Sequence, residues 1–199
     1  LYKRSTKEQS FVRTGFGGQV VIMNGGALVL PVLHELILVN MNTLRLEVKR
    51  EKQESLITKD KMRVDVGVEF YLRVNPNAEA IATAAQTLGS RTQNANELRA
   101  LVEGKFVAAL RACAAQMDMA EMHEHRSRFV QSVQSIVVED LAKNGLELES
   151  SSLTHFNQTK IEYFDPQNAF DAEGLTRLTE QTETRRKERN NIEQETADR

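Results

Sequence analysis

The chain has 199 residues, 40% of them hydrophobic and 6% aromatic, enough for one ordinary folded domain with an appendage. A formal net charge of −2 gives no footprint for nucleic acid, because phosphate binding needs clustered Lys and Arg. The single cysteine, Cys113, excludes an internal disulfide and has no CxxC partner for zinc, so it reads as a small buried apolar residue in a reducing compartment.

Leu1 and Tyr2, followed by Lys3, Arg4 and Lys7, have the character of an interfacial aromatic and the basic flank that follows a membrane span on its cytoplasmic side. No run of about 18 apolar residues lies within the chain itself, so the expectation is a span preceding Leu1, with residues 1–8 as a juxtamembrane segment. Gln9 to Thr14 and Gln19 to Met23 read as short strands, with Gly15, Gly17 and Gly18 between them and Asn24-Gly25-Gly26 closing the second. Ala27 to Val39 is almost wholly apolar, too short to cross a bilayer, and interrupted by Pro31. Strand, turn and strand is the default for it. The sharper alternative has Leu28, Leu30, Val32 and Leu33 dipping into the headgroup boundary, each buried CH₂ contributing about 0.8 kcal/mol.

Thr43 to Lys49 alternates, and the alternation is clearest from Arg63 to Val74, where Val64, Val66, Val68, Phe70, Leu72 and Val74 share one face. That pattern predicts half-buried antiparallel strands. Asn75-Pro76-Asn77 opens a short Ala-rich helix to about Leu88, and a polar loop, Gly89 to Asn94, leads into a long helix with Leu98, Leu101, Val102, Phe106, Ala109, Leu110, Cys113 and Met117 at helical spacing. A further helix carries Phe129, Val133, Ile136, Val137 and Leu141, stopped by Asn144-Gly145, and Leu146 to Phe156 is a final extended segment. The fold class is α+β with a mainly antiparallel sheet and packed helices. Beyond Asp171 the pattern becomes a polar helix in which Leu175, Leu178, Thr182, Arg185, Arg189 and Ile192 recur at roughly heptad steps, supported by Glu183 with Lys187 and Arg189 with Glu193. It is the expected oligomerisation helix, the start of a coiled coil or parallel array.

The glycines of Thr14-Gly15-Phe16-Gly17-Gly18 are followed by a strand rather than the helix N-terminus a phosphate loop needs, which argues against a nucleotide site. His123-x-His125, flanked by Glu121 and Glu124, has metal-ligand chemistry, but positions two apart on a helix face different ways, and a charged helix-start loop accounts for them better. His34 and His155 stand alone as structural histidines, Ser150-Ser151-Ser152 suits a turn or bulge, and no nucleophile signature appears. The expectation is no catalytic residue, no cofactor and no metal.

Val12-Arg13-Thr14-Gly15-Phe16-Gly17-Gly18, Leu28-Val29-Leu30-Pro31, Val39 to Leu44, Ile57-Thr58-Lys59-Asp60 and above all Tyr163-Phe164-Asp165-Pro166-Gln167-Asn168-Ala169-Phe170-Asp171-Ala172-Glu173-Gly174-Leu175 resemble the flotillin family, within the SPFH or Band 7 group that includes stomatin, prohibitin and HflK/HflC-like proteins. Bacterial flotillin-like proteins fit best. The resemblance implies an SPFH1-like β subdomain over residues 9–58, an SPFH2-like α+β subdomain over 59–168 and the start of a coiled-coil helix over 169–199. It further implies a non-enzymatic scaffold anchored at the bacterial inner membrane with this region cytoplasmic. Such a scaffold forms homo-oligomeric rings or cages, touches membrane lipids, organises microdomains and is linked to an NfeD-type membrane protein. The alternative it leaves open is a regulatory or chaperone subunit enclosing a membrane protease.

Overall fold

The spine of the molecule is β8 (Arg63–Val74), whose apolar positions Val64, Val66, Val68, Phe70, Leu72 and Val74 are all buried while the residues between them are mostly half-exposed. In the computed structural model, which describes residues 1–197, β6 (Leu44–Arg50) and β7 (Leu56–Ile57) pair with one side of this strand. Strand β9 (Leu146–Gln158) pairs with the other side, and every pairing is antiparallel. Register shifts fall between Gly67 and Val68 and between Tyr71 and Leu72, so Ser150 to Ser152 occupies a regular stretch of β9 between two irregularities. The serine run is therefore a ladder segment flanked by bulges and not itself a turn.

One face of this sheet is covered by helices α1 (Ala78–Thr87), α2 (Ala95–Ala114) and α4 (Arg126–Ala142). Both α1 and α2 begin where asparagine offers its side-chain oxygen to free N–H groups: Asn77 accepts from Ala80 at 2.8 Å, and Asn94 from Asn96 and Glu97 at 3.1 and 3.3 Å. The Phe70 and Phe106 rings meet with centroids 4.2 Å apart, at the centre of a core that includes Ile81, Val102, Leu110, Val133, Val137 and Leu141. Cys113 is buried in the same core, and burial pushes its thiol up. Gly145, at φ +71, ends the α4 region; a Cβ there would sit 2.1 Å from the Ala80 carbonyl oxygen, so this turn needs glycine for space as well as for backbone freedom. The opposite sheet face carries ion pairs of Arg45 with Glu69 and of Arg73 with Glu147 and Glu149.

A second sheet, in the order β3-β2-β5, is built from β2 (Gln9–Gly15), β3 (Val20–Ile22) and β5 (His34–Asn40). It packs on α1 and adds Val12 and Val39 to the common core. A third element is a two-stranded ribbon of β1 (Tyr2–Arg4) with β4 (Gly26–Leu28). The juxtamembrane segment expected before Gln9 thus contains a strand, hydrogen-bonded to the rim of the apolar run.

Four expectations change. The polar loop 89–94 is largely a 3-10 turn, Gly89–Gln93, because Thr92 is buried and its hydroxyl bonds the Leu38 carbonyl at 3.3 Å. His123 belongs to a short helix, α3 (Met119–Glu124), anchored by buried Met122, and not to a helix-start loop. Ile136 and Leu101, expected on the buried stripes, are exposed, since the covering sheet is narrower than the apolar arcs of their helices. The expected pairs Glu183–Lys187 and Arg189–Glu193 are not closed, whereas Arg177 and Glu173 are paired at 3.1 Å.

The last helix, α5, runs Ala169–Ala197; the final two residues of the expected 169–199 segment lie outside the described residues. No described helix is long and apolar enough to cross a membrane.

Candidate functional site: an apolar rim and a fixed helix junction

Large apolar side chains that cannot reach the core collect at one end of the molecule. The β1–β4 ribbon sets Tyr2 opposite Leu28, and Leu1 exchanges backbone hydrogen bonds with Val29 at 2.8 and 3.0 Å. The turn that follows, through Pro31, presents Val32 at 94% exposure, beside exposed Leu30 and Leu33. The neighbouring Gly-rich turn adds Phe16, 74% exposed, whose N–H donates to the Leu33 carbonyl at 3.0 Å. His34 ties the two turns together. Its Nδ1 accepts from the Leu30 N–H at 3.0 Å, which leaves Nε2 to donate to the Phe16 carbonyl at 2.9 Å. His34 is thus fully occupied as a structural clamp.

The rim therefore brings together Leu1, Tyr2, Leu28, Leu30, Val32 and Leu33, all named from the sequence, and Phe16, which was not. Lys3 and Arg4 lie on the ribbon itself and are exposed. Phe16 was legible as a large aromatic with no core spacing on either side, but its glycine neighbours read as turn punctuation.

The second part is the junction where α5 leaves the head. Arg63, at the start of β8, grips Asp171 with both edges of its fork: Nε to Oδ1 at 2.6 Å and Nη2 to Oδ2 at 2.9 Å. Asp171 is only 1% exposed and also accepts the Asp165 N–H at 3.0 Å, while Arg63 Nη1 donates to the Gln53 carbonyl at 3.2 Å. Burial pushes the Asp171 carboxyl upward, but the Arg63 hydrogen bonds, the Asp165 N–H and the Arg63 charge together hold it below the usual carboxylate range.

Beneath this pair Met62, Phe164 and Leu178 form a small separate core with Leu175 and Met119 against it. The turn before β8 is held by the Thr58 hydroxyl, which bonds Asp60 and accepts the Met62 N–H at 3.1 Å. Gly174 lets the helix press on that turn: a Cβ would stand 2.2 Å from the Lys61 carbonyl oxygen and 3.1 Å from the Phe164 ring. Gly174→Ala is expected to destabilise by about 1–3 kcal/mol through this overpacking. Thermal melting of the variant checks it.

Leu178 thus packs into its own head and Leu175 partly so, while Arg185 lines a cleft of about 350 Å³ with Met119, His123, Arg126 and Phe156. Thr182, Arg189 and Ile192 are exposed. His123 meets Arg126 at 3.2 Å and stacks near Phe156, His155 lies 3.8 Å from Glu51, and no three potential ligands converge among the described residues. The second sheet joins the head beside the Leu72 end of β8, and α5 docks at Arg63, roughly 30 Å along the strand.

The sequence model of the SPFH domain / Band 7 family matches residues 6–195. The chain is 65% identical over 195 residues to the flotillin family inner membrane protein YqiK of Escherichia coli (strain K12), covering 98% of this chain and 35% of that protein. It is 30% identical over 184 residues to the flotillin family inner membrane protein sll1021 of Synechocystis, covering 90% of this chain and 27% of that one. To human flotillin-1 it is 26% identical over 148 residues, covering 73% and 34%. The chain spans about a third of the length of these relatives, 35%, 27% and 34% respectively. An α+β head with antiparallel sheets, a long helix leaving it, and matches of this extent establish that the chain belongs to the SPFH domain / Band 7 family, in its flotillin branch.

Proposed function

We propose that this chain is the membrane-side head of a non-enzymatic scaffold. The observation that carries the reading is the concentration of seven exposed apolar side chains, Leu1, Tyr2, Phe16, Leu28, Leu30, Val32 and Leu33, on adjoining turns and a ribbon at one end of the molecule. A patch of this kind marks a surface that another apolar medium covers. Basic Lys3 and Arg4 beside it suit an anionic membrane surface. The names of the bacterial relatives, which describe inner membrane proteins, support membrane association.

In this reading the rim seats in the headgroup boundary, and the rigid junction aims α5 away from it. Parallel α5 helices of neighbouring copies then stand side by side through Thr182, Arg189 and Ile192. Such lateral packing would organise membrane microdomains, with an NfeD-type membrane protein as a partner that the flotillin resemblance implies.

The test is co-sedimentation of the 199-residue chain with phosphatidylglycerol/phosphatidylethanolamine vesicles. Val32→Asp with Leu33→Asp is expected to weaken binding by about tenfold or more, the equivalent of removing one or two buried apolar side chains. The melting temperature should hold, because Val32 and Leu33 are exposed. Unchanged vesicle binding would remove the rim from the mechanism.

A further inference from the structure

Strand β9 is paired on one side only. It runs against β8, and among the described residues no other strand and no side chain bonds its backbone. The outward N–H and C=O groups of its other edge form a template for a further strand. Two register shifts interrupt that edge but leave Ser150 to Leu153 and His155 to Gln158 regular. The free edge of β6 differs, because Arg99 reaches over from α2 and donates to the Arg45 carbonyl at 3.1 Å.

A groove follows the same edge. The core-side residues of β8 are buried, but Leu148, Ser151, Leu153 and Phe156, which stand opposite Leu72, Phe70, Val68 and Val66, are only half-buried. Helix α4 stops short of covering them. Between Ser151 and Leu153 on the strand and Val130 and Gln134 on the helix lies a groove of about 460 Å³. Arg126 lines this groove and also the cleft of about 350 Å³ that holds Phe156 and Gln158, so the two follow one another along β9. From Ser151 to Gln158 their combined length is about 20–25 Å.

A free strand edge beside a half-buried apolar floor is the arrangement that takes up an extended peptide. Backbone groups supply the ladder, and alternate side chains enter the groove. Here the two parts differ in chemistry. The first has Val130 and Leu153 among neutral Ser127, Gln131 and Gln134, with no acid in its lining. The second has Arg126 and Arg185 against Glu124, and neither arginine forms an ion pair among the described residues. Arg126 is held in position by the Phe156 ring, 5.4 Å from its guanidinium carbon to the ring centre, and by His123 Nδ1, which accepts from it at 3.2 Å. A guanidinium so placed suits a carboxylate.

We propose that the β9 edge and the α4 groove bind an extended segment of a partner protein, with an aliphatic side chain between Val130 and Leu153 and an acidic one beside Arg126 and Arg185. The other free edge of this chain does not offer that pair, since the aliphatic Leu44, Leu46 and Val48 of β6 are buried in its own core. In the scaffold reading this groove is where a client is held, and it does not depend on the rim touching lipid.

The test is selection of a random nonapeptide library, displayed on phage, against the immobilised 199-residue chain, followed by synthesis of the enriched peptides. They should carry Ile, Val or Leu with Asp or Glu two to four residues away, and on binding should slow amide hydrogen exchange of residues 150–158 about tenfold or more. Arg126→Gln should weaken the same peptides about tenfold, and selection against Arg126→Glu should replace the acid by Lys or Arg. Arg126 is exposed, so both variants should melt like the parent. No enrichment over bare support, protection outside residues 150–158, or the same acidic peptides from Arg126→Glu overturns the site. Protection of residues 150–158 that grows with protein concentration in the absence of peptide assigns the edge to a second copy and overturns the partner segment. Each of these results is independent of vesicle binding by Val32→Asp with Leu33→Asp.

Discussion

Asp171→Asn is expected to lower the stability of the head by about 3 kcal/mol, because it leaves the Arg63 guanidinium desolvated opposite a neutral amide. For a chain of this length that corresponds to a melting temperature lower by roughly 8 °C. The pair is a demanding one: Asp171 is 1% exposed and accepts from Arg63 twice and from the Asp165 N–H once. The sign with pH is fixed by the carboxyl being held below its usual range. A depressed folded-state pKa contributes stability that is fully present above the unfolded value near 3.8 and is lost as pH falls through the folded value. Wild type and Asp171→Asn should therefore differ by a constant amount above about pH 5 and converge below about pH 4. Chemical denaturation at several pH values measures this. A gap that widened on acidification would mean that Asp171 is not the charged partner of Arg63 in the folded chain.

Ending the chain after Phe170 is expected to destabilise the head, whereas ending it after Gln181 is not. The sequence pattern alone suggests that a cut near Phe170 leaves the head intact, since the polar helix reads as an appendage. The structure places the first turns of that helix inside the fold. A cut after Phe170 removes Asp171, which orphans Arg63, and removes Leu178, which exposes Met62 and Phe164. The combined loss is about 5 kcal/mol, or roughly 15 °C in melting temperature. A cut after Gln181 keeps all of these contacts and removes the exposed Thr182, Arg185, Arg189 and Ile192, of which Arg185 lines the open cleft beside Phe156. That shorter chain should melt like the parent. Melting curves of both truncations check the prediction, and equal stability would show that the junction contributes nothing to the head.

The two long strands were legible because alternation has a strict period and the residues concerned are β-branched or aromatic: Val64 to Val74 needed no partner to be recognised. Helix starts at Asn77 and Asn94 were equally plain, as the cap residue is local to the helix it caps. What escaped depended on partners distant in sequence. Asp171 reads as an ordinary acidic residue in a first helical turn, and nothing near it reveals Arg63, 108 positions away. β1 was missed because Tyr2-Lys3-Arg4 has no alternation and forms a strand only by pairing with Gly26-Ala27-Leu28. Ile136 and Leu101 show the limit of helical periodicity, which finds the apolar arc but not how much of it the sheet can cover.

The rim residues were legible as a group since an apolar run broken by Pro31 has few uses, and the choice between core and lipid was not. The structure divides the run by burial alone: Val29 and Val39 are buried, while Leu28, Leu30, Val32 and Leu33 are exposed. His34 explains the division, for its ring occupies the hydrogen-bonding groups of the turn and holds the outward residues on one side.

The most direct measurement is electron cryomicroscopy of the full-length protein in lipid vesicles. The account predicts heads standing on the bilayer with the Leu30–Leu33 turn and Phe16 at the headgroup boundary, and α5 helices leaving the opposite end side by side. Heads suspended away from the bilayer, with the rim turned from lipid or packed against protein alone, would contradict it.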